Sequence, residues 1–207
     1  MKTGIDVSYA QGYIDWCKVV GKIDFAIVRG GYYDTFDRFA HRNLLNCNAH
    51  EIPCGIYWFS YAFNVKEAVM EAKKCLALAS AYKLQYPIIF DLEDDSVYYA
   101  KRMGVELTPE KVKEIAIAFC QEIEKAGYYA MIYCNLNWYR NWYGPELFSR
   151  YGLWLANPSR ITNNSHPQLE QYSWKGLISG IGGNVDLNFD YVNLDDVILK
   201  AALNHLF

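Results

Sequence analysis

The chain has 207 residues, 52% of them hydrophobic and 21% charged, which fits one soluble domain with a sizeable core. A formal net charge of −3 argues against nucleic acid as the main ligand and against electrostatic capture by an anionic polymer, since both rely on basic clusters. No apolar stretch approaches the roughly 18 residues that span a bilayer, and none follows the start as a signal core would, so membrane insertion and secretory export are not expected.

In chain order, five short apolar runs come first: Thr3–Val7, Phe25–Gly30, Cys54–Phe59, Ile88–Asp91 and Tyr129–Cys134. Each is rich in Ile, Val or aromatic residues, as strands buried on both faces are. Amphipathic stretches lie between them. One, from about Val65 to Tyr82, carries Val69, Ala72, Leu76 and Ala79 on its inner face. The clearest helix follows the fourth run. Thr108 is its N-cap, Pro109 its first residue, and Val112, Ile115, Phe119 and Ile123 its apolar stripe, with Gly127 as its stop. Such alternation implies a parallel sheet joined by right-handed crossovers.

The last third differs. Leu153–Ala156, Leu169–Tyr172 and Val185–Asn188 read as three further strands, but the polar segments between them lack the pattern of a crossover helix. The expected fold is therefore α/β: a single, irregular TIM-like β/α barrel over residues 1–207, with eight strands and helices after the first five only. The six cysteines form no C-x-x-C pair, and Cys75 and Cys120 fall on apolar helix faces, so buried reduced thiols are expected. His41, His50, His166 and His205 show no metal-ligand spacing, and no metal site is expected.

Active sites of β/α barrels lie at the C-terminal ends of the strands. The first strand ends in Asp6, the fourth runs into Asp91-Leu92-Glu93-Asp94-Asp95, and the eighth carries Asp186. Closure sets the first and eighth side by side, with the fourth across the mouth. Asp91 and Glu93, two residues apart on a strand, point to one side with Cα atoms roughly 6–7 Å apart, while Leu92 faces the helices. Glycosidic cleavage needs a protonated acid for the leaving oxygen and an anion beside the oxocarbenium-like centre. Like charge nearby raises one member's pKa and keeps it protonated near neutrality, with Asp94 and Asp95 adding to the effect. A lone D-x-E is a weak signal, and Asp94 and Asp95 read more simply as a solvated loop. Acidic strand ends also hold Mg²⁺ in some barrels, although no Lys or His base stands at a strand end here.

Several blocks stand in one order over nearly the whole chain: Gly4-Ile5-Asp6-Val7-Ser8 with Gln11, Phe25 to Tyr32, Gly55 to Ala62, Pro87 to Asp94, Gln171-Tyr172 and Val185 to Asn188. Together they resemble glycoside hydrolase family 25, the Chalaropsis-type lysozymes that include phage endolysins. The resemblance implies a short-ended barrel, no cofactor, and hydrolysis of the β-1,4 bond between N-acetylmuramic acid and N-acetylglucosamine in peptidoglycan. By motif position it implies Glu93 as general acid, Asp91 as its carboxylate partner, and Asp6 and Asp186 as the rest of an acidic floor. It implies cell-wall peptidoglycan as partner and an endolysin-like stay in the host cytoplasm before release to the wall; residues 1–207 themselves read as one catalytic domain, with no separate wall-binding module expected within them. One departure is Trp58, where family members commonly have His; it faces away from Tyr57 and Phe59 on its strand.

Sugar clefts present aromatic faces and amide edges, which makes Tyr57, Tyr61, Tyr133, Trp154 and Gln171 substrate-binding candidates, each equally open to being scaffold. Trp138, Tyr139, Trp142 and Tyr143 form either a subsite wall or a cap on the barrel. Two other readings stay open at this point: a glycan-binding barrel without catalysis, and a metal-dependent barrel hydrolase.

Overall fold

A computed structural model describes residues 1–206 of the chain. Its strands are β1 (Lys2–Val7), β2 (Phe25–Tyr32), β3 (Thr35–Phe36), β4 (Cys54–Phe59), β5 (Ile88–Asp91), β6 (Ala130–Asn135), β7 (Gly152–Ala156), β8 (Leu169–Gly176) and β9 (Val185–Asp190). All but β3, a two-residue hairpin partner of β2, close into an eight-stranded barrel, in which β1 pairs with both β2 and β9. The sheet is parallel from β1 through β2, β4, β5, β6 and β7 to β8. The expectation of a parallel sheet fails at the last strand, since β9 runs antiparallel to both β8 and β1. A reversed strand needs only a hairpin connection, which is why the short, Gly-rich segment 177–184 suffices.

The helices are α1 (Trp16–Val19), α2 (Ala40–Ala49), α3 (Val65–Ala79), α4 (Asp94–Arg102), α5 (Pro109–Lys125), α6 (Leu136–Trp138) and α7 (Leu194–Lys200). No helix separates β7 from β8 or β8 from β9, as read from the sequence, but α7 follows the last strand and corrects the placement of helices after the first five only. Two helices, α4 and α5, fill the one crossover after β5. Thr108 caps α5 by accepting from the Lys111 N–H, and Val112, Ile115, Phe119 and Ile123 are all buried. The buried face of α3 is rotated from the expected stripe. Ala68, Ala72, Cys75 and Ala79 turn inward and carry Glu71 with them, whereas Val69 and Leu76 are only half-buried.

Two apolar layers result. Phe25, Ile27, Tyr86, Ile89, Met131 and Leu169 fill the lower barrel, and Gly4 is needed there because a Cβ would lie 2.6 Å from the Phe25 ring. Outside the barrel, Trp58 is buried under the helices and donates its indole N–H to the Tyr33 carbonyl at 3.3 Å. Gly31 makes room for it, since a Cβ at that position would come within 2.6 Å of the indole. Trp58 is thus packing on the outer side of the barrel wall, with no surface open to a ligand. The six cysteines are free; Cys47, Cys54, Cys75, Cys120 and Cys134 are buried, and Cys17 is exposed.

Candidate active site

One mouth of the barrel collects the acidic side chains. Asp6, near the end of β1, pairs in register with Asp186, near the start of β9, so the reversal of β9 is what brings Asp186 to this mouth. Asp91 ends β5 opposite Phe59 of β4 and Tyr133 of β6. Leu92 turns into the outer apolar layer, and Glu93 follows as the N-cap of α4, nearer the rim than Asp91. Asp6 and Asp91 retain only 7% and 4% of their accessible surface.

A buried hydrogen-bond network holds the floor. Gln171 of β8 donates from Nε2 to Asp6 Oδ2 at 2.9 Å and to Asp186 Oδ2 at 3.2 Å. Its Oε1 accepts from the Tyr133 hydroxyl at 3.0 Å and from the Trp174 indole at 2.9 Å. Because an indole N–H is only a donor, that contact fixes which end of the amide faces the carboxyls. Asn188 donates to Asp6 Oδ2 at 2.8 Å and accepts from Trp154 Nε1 at 2.8 Å. Asp91 Oδ1, by contrast, is buried with no partner.

Burial raises the pKa of every acid in the cluster. Asp6 rises to about 7, through burial first and the Asp186 charge second, against hydrogen bonds from Asn188 and Gln171. Asp186 rises to about 6 by burial. Glu93 rises to about 7 by burial, with Asp94 and Asp95 adding repulsion. Asp91 is pushed well above the usual carboxyl range, by burial first and then by the charges of Glu93 and Asp6. Desolvation therefore outweighs the like-charge effect expected from the D-x-E spacing. The Glu93 charge adds to the rise of Asp91, so the pair is disfavoured from carrying two negative charges near neutrality.

The aromatic candidates separate. Tyr133 and Gln171 belong to the buried network, and Tyr57 packs beside Trp154 with ring centroids 5.9 Å apart. Trp154 is 2% exposed, wedged edge-on between Tyr57 and Tyr133, and offers no free face to a ligand; its N–H orients Asn188 toward Asp6. Tyr61 lies apart from these, on a cleft of about 640 Å³ beside the mouth, with Tyr9, Arg29, Tyr32, Phe59 and Asp95. Trp138 and Tyr143 are buried, Trp142 stacks on Trp138 at 4.7 Å, and Trp138 donates to Asp94 Oδ1 at 2.8 Å, so this group caps the barrel flank. Among the described residues, no group of three or more His, Cys, Asp or Glu is arranged to hold a metal ion.

Sequence reasoning missed Asn188, Trp174 and Glu71. Asn188 lies within a matched block, and alternation from Asp186 would have aimed it at the same floor. Glu71 reads as a polar residue of a helix, yet it is fully buried and accepts from the Tyr61 N–H at 3.0 Å. Trp174 is turned to the mouth by a bulge that residue types do not announce.

Comparison with known proteins returns a match to the family model described as glycosyl hydrolases family 25, over residues 5–181. No curated protein matches the chain. Among solved structures, the modular autolysin LytC from Streptococcus pneumoniae, solved in complex with a synthetic peptidoglycan ligand, is 26% identical with a TM-score of 0.79. That match covers 90% of this chain and 46% of the autolysin, so the chain spans about half the length of that relative. A family 25 glycosyl hydrolase from Bacillus anthracis is 21% identical with a TM-score of 0.80, covering 97% and 93% of the two chains. The bacterial lysozyme from Streptomyces coelicolor is 20% identical with a TM-score of 0.77, covering 100% and 98%.

Proposed function

The chain belongs to glycosyl hydrolases family 25, a family of glycosidases, and on that premise we propose that it is a muramidase cleaving the β-1,4 bond between N-acetylmuramic acid and N-acetylglucosamine in peptidoglycan. The observation that carries this reading is the Asp91–Glu93 pair: two carboxyls where β5 runs into α4 at the barrel mouth, both raised by burial into or above the neutral range. The pneumococcal autolysin, whose structure holds a synthetic peptidoglycan ligand, supports the choice of polymer.

Cleavage requires one proton for the leaving oxygen and one anion beside the anomeric carbon. The pair supplies both when it holds a single proton. As positive charge develops at the anomeric carbon, Asp91 becomes the better anion and Glu93 the better acid, so Glu93 protonates the departing oxygen. Asp91 then steadies the oxocarbenium-like centre or the acetamido group of the muramic residue. Asp6 and Asp186, held by Gln171 and Asn188, orient the sugar or the attacking water. No cofactor enters this scheme.

The test is mass spectrometry of the fragments that the protein releases from purified peptidoglycan, after borohydride reduction of the new ends. Reduced N-acetylmuramic acid at every new end is the expected result. Reduced N-acetylglucosamine, or intact strands, would overturn the proposal.

A further inference from the structure

Of the six tryptophans, Trp16, Trp58, Trp138 and Trp154 are fully buried and Trp142 is half-buried against the flank. Trp174 is 54% exposed. An exposed indole is ordinary on its own, but this one is tied into the carboxyl network. Its N–H meets Gln171 Oε1 at 2.9 Å, and the other end of that amide donates to Asp6 and Asp186.

The backbone explains the placement. Simple alternation along β8 would send Gln171 and Ser173 to the barrel mouth and Trp174 away from it. Instead, Gln171 pairs with Asn188 and Ser173 with Leu187, so β8 uses two residues where β9 uses one. A bulge of this kind leaves one residue unpaired and re-aims the side chains beyond it. Trp174 therefore turns to the same side as Gln171. Its polar edge points down into the network, and its ring remains largely exposed, linked through the Gln171 amide to Asp186. That orientation leaves the donor satisfied and the π-face free, which suits a pyranose ring whose C–H groups meet the electron-rich face of an aromatic ring.

We propose that Trp174 is a glycan-binding platform on the β8–β9 side of the mouth, stacking on an N-acetylhexosamine ring next to the Asp6–Asp186 floor. The proposal rests on the muramidase reading for the identity of the sugar, but not for the existence of the platform. Two features of the indole are separable. Its N–H orients Gln171, and its face receives the sugar. Trp174→Phe removes the first and keeps a ring, whereas Trp174→Ala removes both.

The probe is a soluble tetrasaccharide of alternating N-acetylglucosamine and N-acetylmuramic acid, used in two arms. In the kinetic arm, Trp174→Ala should raise KM about 3- to 10-fold, the range one aromatic contact supplies, with Trp174→Phe much closer to the unsubstituted protein. An unchanged KM in Trp174→Ala would overturn the platform. So would equal damage in the Phe and Ala variants, which would assign the effect to the N–H and Gln171. The second arm needs no turnover. Tryptophan fluorescence is followed during titration of Glu93→Gln, with and without Trp174→Phe. The platform predicts a ligand-induced change that disappears with Trp174, and a change that persists without Trp174 would overturn it. Failure of the muramidase reading shows separately, as absence of tetrasaccharide cleavage by the unsubstituted protein. The fluorescence arm, repeated with the all-N-acetylglucosamine tetrasaccharide, then still decides whether the indole binds a glycan.

Discussion

Asp91 and Glu93 act as one titrating unit, and the consequences differ for each residue. Glu93→Gln keeps the shape of the side chain and removes the transferable proton. Cleavage of purified walls should fall by about 10²- to 10⁴-fold with an unchanged circular dichroism spectrum, and near-normal lysis would show that another group is the acid. Asp91→Asn gives a sharper test through pH. In the unsubstituted protein, the pair is inactive when doubly protonated, because no anion remains, so activity is lost as pH falls below about 7, where Glu93 takes up its proton. In the Asp91→Asn variant the remaining requirement is a protonated Glu93, which improves as pH falls. The ratio of kcat/KM, variant over unsubstituted, should therefore rise as pH drops through about 7, while the variant stays far less active throughout. Asp6 and Asp186 titrate in the same range but are present in both proteins, so the ratio removes most of their contribution. A ratio independent of pH would detach Asp91 from the acid. The acidic residues themselves were legible in the sequence, because a carboxyl at the end of an apolar strand has few structural uses. The full rise in their pKa was not legible, because burial drives it and burial belongs to the folded molecule.

At the scale of elements, α3 carries a group that its amphipathic pattern conceals. Glu71 is fully buried, accepts the Tyr61 N–H through Oε1, and leaves Oε2 without a partner. Burial pushes its pKa from 4.5 to about 8, with the Glu67 charge adding to the rise. A carboxyl whose folded pKa lies above its unfolded value gives stability that is complete below about 4.5 and is lost as pH rises through about 8. Glu71→Gln holds the same acceptor and never ionises. Its Tm should match the parent at pH 4 and exceed it increasingly from pH 5 to 9; a Tm below the parent's at pH 9 would mean that the ionised form is needed. Strand positions were readable because continuous apolar runs mark strands covered on both faces, and Cys54–Phe59 and Ile88–Asp91 coincide with β4 and β5. The direction of β9 was not readable, since the alternating pattern of Val185–Asn188 is the same in either direction. Helix α4 escaped for a related reason: only Ser96 and Ala100 of its residues are buried, which leaves no apolar stripe.

Over the whole molecule, the two ends of the barrel carry opposite energetic signs. At the closed end, Asp190 accepts from the Tyr86 hydroxyl and the Leu194 N–H, and Asn204 donates to the Leu84 and Tyr86 carbonyls while accepting from the Tyr129 N–H. Each of these polar groups has a partner, so the C-terminal segment is stitched across the barrel base. Asn204→Ala would leave three backbone groups unpartnered and should cost about 2–4 kcal/mol of stability, by similar amounts at pH 5 and pH 8. At the mouth, the carboxyls are buried, raised in pKa and partly unpartnered, which serves chemistry at the expense of stability. Asp6→Asn preserves an oxygen able to accept from Gln171 and Asn188 and removes a charge whose burial is unfavourable. Because Asp6 rises to about 7, the parent is uncharged there at pH 4 and charged at pH 8. The variant should therefore match the parent's Tm at pH 4 and exceed it at pH 8, with cleavage strongly reduced at both. Asn204→Ala should show the reverse division, a lower Tm with kcat/KM unchanged at 25 °C, because its contacts lie at the end of the barrel away from the chemistry. Paired melting curves and kinetics on the two variants measure this directly. Should Asp6→Asn melt below the parent at pH 8, the mouth is held together by its charges, and the assignment of opposite roles to the two ends is wrong.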